Sequence, residues 1–97
     1  MMNYNFEWSY QKAQSNVTKH GVSFEESATV FKDPMALSIY DDEHSINEER
    51  WLTLGISKAG KLLLVCHTFQ KQSNATVSIR IFSCRKATKK ESKQYGE

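Results

Sequence analysis

Thr76–Tyr95, TVSIRIFSCRKATKKESKQY, is the stretch whose reading decides the fold. Val77, Ile79 and Ile81 alternate with Ser78, Arg80 and Phe82. That period of two marks a strand with one face in a core. The opposite row places a guanidinium and an aromatic ring where solvent or a ligand would lie. Arg85, Lys86, Lys89, Lys90 and Lys93 follow, opposed only by Glu91. Such a short basic segment can neutralise phosphates and release their counterions. It can equally be a solvated helix face.

Working upstream from this strand, the same period recurs. Leu62–Phe69, LLLVCHTF, reads as a strand buried on both faces and therefore central. Lys58–Lys61 is a tight hairpin connection with Gly60 available for positive φ. In Arg50–Ser57, Leu52, Leu54 and Ile56 share one face of a strand, and Trp51 and Thr53 the other. Met35–Tyr40 is a further strand, and Asp41–Glu49 is a polar, acidic loop. Three or four strands reversed by short turns imply an antiparallel meander.

The N-terminal third is helical in pattern. Asn5–Trp8 reads as an edge strand, after which Ser9 can cap a helix over Tyr10–His20. Tyr10, Ala13 and Val17 form its expected buried stripe, and Gly21 stops it. Ser23 and Glu26 match a capping box for a second helix with Phe24, Ala28 and Phe31 inward, and Pro34 ends it. The two helices would form a hairpin covering one sheet face and leaving the other partly open.

The totals bound the answer. The chain has 97 residues, is 39% hydrophobic and carries a net charge of +2. That predicts one small globular domain over residues 1–97, not a polybasic binder. Cys66 and Cys84 form no CxxC pair and no signal peptide is evident, which predicts buried free thiols and a cytoplasmic chain. No apolar run is long enough to span a membrane. Motifs for nucleotide triphosphates, dinucleotides or a zinc protease are missing. Loop residues Asp41, Asp42, Glu43, His44, Glu48 and Glu49 include types that hold magnesium or manganese, but neighbours in a loop do not converge unaided. No metal or cofactor is expected. Glu49 and Arg50 can form a local ion pair.

Several blocks in order carry a resemblance. They are FEWSYQKAQSNVTKHGVSFEESATVFKDP (Phe6–Pro34), EERWLTLGIS (Glu48–Ser57) and FSCRKATKKESKQY (Phe82–Tyr95). Together they resemble the BrnT family of toxins from bacterial type II toxin–antitoxin systems, most specifically over Lys19–Ala28 and Ser83–Tyr95. Ser9 stands where the family commonly has aspartate after the tryptophan, and either residue can cap the helix. The resemblance implies a RelE-like α+β fold. Its parts would be a small antiparallel sheet of about four strands, an N-terminal helical hairpin on one face and a short basic C-terminal helix. It also implies RNA cleavage, a block on translation, and neutralisation by a BrnA-like antitoxin. The pair would form a heterotetramer of two toxins and two antitoxins and repress its operator DNA mainly through the antitoxin.

Metal-free RNA cleavage needs a base for the ribose 2′-OH, cations for the phosphate and an acid for the leaving oxygen. Arg80 and Arg85 are the expected phosphate clamp, because guanidinium pairs its donors with phosphate oxygens. His67, on the central strand and expected beside Arg80, is the first candidate acid or base. Glu49, His44 and Lys19 are alternatives. Lys19, Arg50, Lys86, Lys89, Lys90 and Tyr95 are expected to contact RNA. Two other readings stay open. One is a non-catalytic nucleic-acid-binding module with structural histidines. The other is an interaction domain whose open face, with Trp51 and Phe82, seats a partner.

Overall fold

A computed structural model describes residues 3–96. Among these residues six strands form one mixed sheet: β1 (Asn3–Glu7), β2 (Leu37–Tyr40), β3 (Trp51–Ile56), β4 (Leu62–His67), β5 (Gln70–Lys71) and β6 (Thr76–Lys86). The order is β1-β6-β4-β3-β2, with β5 also paired to β6. The expected meander is present as β2-β3-β4-β6, antiparallel throughout. The expectation of an all-antiparallel sheet of about four strands is corrected, because β1 adds to β6 in parallel and β5 adds a short antiparallel pairing. β4 is central, as its apolar run predicted.

Helix α1 (Tyr10–His20) has the predicted caps. Ser9 accepts from the Lys12 N–H, and Gly21 adopts φ 68°, a left-handed value that glycine takes without steric cost. Its buried residue is Asn16; Tyr10 and Val17 are exposed, which corrects the predicted stripe. The cause is an edge of β6. β1 stops at Glu7, opposite Arg80, so the β6 backbone beyond it lacks a strand partner on that side. The Asn16 amide takes that place. Cys84 N–H donates to Asn16 Oδ1 at 3.0 Å, and Asn16 Nδ2 donates to Cys84 O at 2.8 Å and to Val22 O at 2.9 Å. A side-chain amide has the same donor–acceptor pair as a peptide, so it can continue a ladder for one residue.

The second half of the expected helical hairpin is short. α2 (Phe24–Ala28) is five residues long and passes into a 3-10 turn over Thr29–Lys32. Ser23 caps it, but Glu26 does not close the capping box; its carboxylate accepts from Ser57 Oγ instead. The complete capping box lies at α3 (Lys89–Ser92), between Thr88 and Glu91. Val22, Phe24 and Val30 pack with Leu63, Val65, Val77, Ile79, Ile81 and Cys84 to form the core on the helix-covered face. Gly55 belongs to this contact, since a Cβ there would lie 2.7 Å from Val30 Cγ1.

The register assigns the apolar row Leu52, Leu54 and Ile56 to the open face, opposite Cys66, Leu64 and Leu62. Trp51 and Thr53 take the covered face, so Trp51 and Phe82 do not share the open surface as expected. On the covered face a hydrogen-bonded chain runs through His67. Ser38 Oγ–H donates to Thr53 Oγ1 at 2.7 Å, Thr53 donates to His67 Nε2 at 2.6 Å, and His67 Nδ1–H donates to Thr68 O at 2.7 Å. The carbonyl fixes the tautomer, because it can only accept.

His67 is 1% exposed, and Phe31 packs edge-on at 4.8 Å. Burial pushes its pKa down, against a partial lift from Thr68 O. The unfolded chain therefore takes up a proton near pH 6.5 that the folded ring refuses. Stability is expected to be full above about pH 6.5 and to decline below it. Denaturant titrations between pH 7.5 and 5 check this. His67→Gln should flatten that slope, and an unchanged slope would refute the assignment.

Candidate active site

The site is set by one irregularity in β6. Cys66 pairs with Ser83, but the next residue, His67, pairs with Ile81, so Phe82 is an extra residue in the ladder. A bulge of this kind reverses the alternation downstream of it. Ile81 and Cys84 both point into the core, and Arg80, Phe82, Ser83 and Arg85 all fall on the open face. Unbroken alternation would have put Arg85 on the same face as Ile79.

A cleft of about 560 Å³ lies on this face. His20, Asp41, His44, Arg50, Cys66, Ser83 and Arg85 line it with Glu43, Leu52, Leu64 and Cys84. Asn16 holds α1 against the β6 edge, and this brings His20, the last residue of α1, to the cleft. His44 is held by Asp41, with Nδ1 at 2.9 Å from Oδ2 and 3.1 Å from Oδ1. A carboxylate on Nδ1 leaves Nε2 free for proton transfer. The loop is fixed by its backbone: Asp41 N–H donates to Arg50 O at 2.8 Å, and Arg50 N–H donates to Ser45 Oγ at 2.9 Å.

Arg85 is gripped by Glu91 through two bonds, at 2.8 and 2.9 Å. The same carboxylate accepts from Thr88 N–H, so one residue caps α3 and orients the guanidinium. These bonds, the Arg85 one first, lower the Glu91 pKa to about 2. Burial pushes the Cys66 thiol up, so it is a protonated wall and not a nucleophile.

A second cleft of about 390 Å³ adjoins the first. Glu7, Trp8, Ser9, Lys12, Arg80 and Phe82 line it, with Ile81. Phe82 joins the two clefts, since the Arg50 guanidinium lies 4.3 Å and Lys12 Nζ 4.9 Å from its ring centre. Arg80 is half-exposed, with Glu7 at 3.6 Å and Glu48 at 3.7 Å, too long for hydrogen bonds.

The residues singled out from the sequence are therefore divided. Arg50, Arg80, Arg85 and His44 face the two clefts. His67 does not: it is buried under the sheet, on the face opposite Arg80, with both nitrogens engaged. The expectation that its ring sits beside Arg80 is corrected. Glu49 is exposed and lines neither cleft; its neighbour Glu48 reaches Arg80. Lys19 is exposed on α1 outside both clefts, and Lys86 pairs in register with Leu63, on the side away from Arg85. Lys89 and Lys90 are exposed on α3. Tyr95 donates its O–H to Asp33, which also accepts from the Ile56 and Met35 N–H groups. It fastens the C-terminal segment to the turn between the 3-10 segment and β2, beside the end of β3. His20 and Lys12 were missed as site residues, because each reads simply as part of a helix. The register of α1 against β6 was their only signal, and Asn16 sets that.

No helix among the described residues is long and apolar enough to cross a membrane. The model of the family described as ribonuclease toxin, BrnT, of type II toxin–antitoxin systems matches residues 8–91. Among solved structures, the chain is similar to the Brucella abortus ribonuclease toxin BrnT, with a TM-score of 0.61 and 19% identity over 92% of this chain and 100% of that one. That likeness concerns the fold. No curated protein sequence matches the chain. With a family match across most of its length, the chain belongs to the BrnT family of ribonuclease toxins of type II toxin–antitoxin systems.

Proposed function

We propose that this chain cuts single-stranded RNA without a metal ion, on the open face of the sheet. The observation that carries the reading is the convergence of two histidines and two arginines on one cleft. His44 Nε2 takes the proton from a ribose 2′-OH while Asp41 holds the other side of the ring. The 2′-oxygen attacks the adjacent phosphorus, and the bond from phosphorus to the 5′-oxygen breaks. His20 gives a proton to that leaving oxygen, producing a 2′,3′-cyclic phosphate and a 5′-hydroxyl. His20, the last residue of α1, lines the same cleft as His44 and is the histidine available for the acid role. Arg50 and Arg85 stabilise the charge growing on the phosphate oxygens. Arg80 holds the adjoining phosphate, and Lys19, Lys89 and Lys90 attract the polyanion at longer range.

The 97 residues act as one RelE-like domain in the cytoplasm, and RNA loss arrests translation. A BrnA-like antitoxin covers the open face, where the exposed apolar side chains Leu37, Ile39 and Ile56 suit a protein partner. Pairs assemble as a heterotetramer and contact operator DNA through the antitoxin. His67 and Glu49 have no chemical step in this scheme, and Tyr95 acts by anchoring the C-terminus.

The test is cleavage of an end-labelled single-stranded RNA by purified protein in excess chelator. Cyclic-phosphate ends and a roughly 10²–10⁴-fold slower rate in His44→Ala are expected. A requirement for added metal, or full activity in His44→Ala, would defeat the mechanism. Salt-dependent binding of intact RNA would point instead to a non-catalytic module.

A further inference from the structure

We propose that the smaller cleft, lined by Glu7, Trp8, Ser9, Lys12, Arg80 and Phe82, is a subsite for one unpaired base next to the cut, and that its chemistry selects guanine. This rests on the ribonuclease reading of the adjoining cleft. The volume, about 390 Å³, accommodates a nucleobase with its sugar. Trp8 gives an aromatic wall of the kind on which single-stranded bases stack, and Phe82, with Lys12 and Arg50 over its ring, forms the facing side. Trp8 is itself fixed, edge-on to Phe24 at 5.8 Å.

The polar groups are of two kinds, and their combination discriminates. Glu7 offers two acceptor oxygens, and the Arg80 guanidinium lies 3.6 Å from one of them. Guanine alone among the four bases presents two adjacent donors, N1–H and the N2 amino group, to match a carboxylate. Its other edge carries two acceptors, O6 and N7, which suit a cation such as Lys12. Adenine has one amino donor and no adjacent N1–H. Uracil has a single N–H between two carbonyls, which a carboxylate repels. Arg50 on the Phe82 ring marks the path by which the RNA backbone passes from this cleft to the catalytic one.

Glu7 lies on an edge strand with its side chain 59% exposed, so Glu7→Gln leaves the fold intact. The test uses short 2′-O-methyl RNAs, which cannot be cleaved. They carry guanine, inosine, adenine or uracil at one position in an otherwise constant sequence. Binding is read by anisotropy and by Trp8 fluorescence, with Trp51 as the constant second tryptophan. The guanine oligomer should bind about tenfold more tightly than the inosine oligomer, which lacks only the N2 amino donor. Glu7→Gln should abolish that difference. Lys12→Ala should weaken guanine and inosine oligomers alike, because both keep O6 and N7.

Equal binding of all four oligomers, a preference that Glu7→Gln leaves intact, or no binding at all would overturn the subsite. Because no oligomer can be cut, this result is independent of the cleavage test. Discrimination without cleavage would sink only the catalytic reading, and cleavage without discrimination would sink only the subsite.

Discussion

Truncating Arg50 to alanine is expected to slow RNA cleavage by roughly 10²–10³-fold, the usual effect of deleting one preorganised charge donor. The same variant should keep its fold. The Arg50 backbone bonds to Asp41 and Ser45 do not involve its side chain, and these are what hold the loop. The side chain contributes a contact with the Phe82 ring, worth about 0.5–1 kcal/mol at a partly exposed site. A melting temperature within about 5 °C of the parent is therefore expected. Arg85→Ala would be a poorer test. Its guanidinium carries both oxygens of Glu91, so activity would fall together with the anchoring of α3. Cleavage rate and melting curve, measured on the same preparation of Arg50→Ala, check the prediction. An unchanged rate would remove Arg50 from the reaction.

The largest expected effect on stability is at Asn16. Asn16→Ala removes three hydrogen bonds and strands the Cys84 N–H in a buried place. An unsatisfied buried peptide group costs about 1–3 kcal/mol, so a total loss of roughly 3 kcal/mol is expected. For a chain of this size that lowers the melting temperature by roughly 10–20 °C. Asn16→Asp should be at least as damaging, since a carboxylate cannot donate to the two carbonyls and would be buried with its charge. Thermal unfolding followed by circular dichroism decides the matter. A loss below about 1 kcal/mol in both variants would show that water or backbone movement satisfies Cys84. The effect extends to function, because Asn16 fixes the α1 register that brings His20 to the cleft.

Much of the fold was legible where one local rule acted alone. The caps at Ser9, Gly21 and Ser23, the Gly60 hairpin and the central place of Leu62–His67 each follow from short-range chemistry. The sequence misled where a long-range partner changed the outcome. Val17 looked buried on its helical spacing, but the open edge of β6 needed an amide more than the core needed a valine. His67 looked like a catalyst because the meander was expected to set its ring beside Arg80. Its neighbours Ser38, Thr53 and Thr68 come from separate segments, and only their convergence shows a satisfied, neutral histidine. The second helix was predicted too long because Ser23-x-x-Glu26 signals a start and says nothing about length.

By itself, the sequence determined the family, the strand and helix periods, and the set of cations and histidines available for phosphate chemistry. Those properties are local or additive, so residue order suffices. Which of these side chains meet was decided only by the tertiary structure. The bulge at Phe82 shifts the pleat by one residue and turns Arg85 onto the face of Arg80. The docking of α1 on Cys84 carries His20 to the same cleft, and the loop closed by Ser45 delivers His44 and Arg50. Alternation in a strand predicts faces only while the register is unbroken. Register depends on partners that lie far away in the chain.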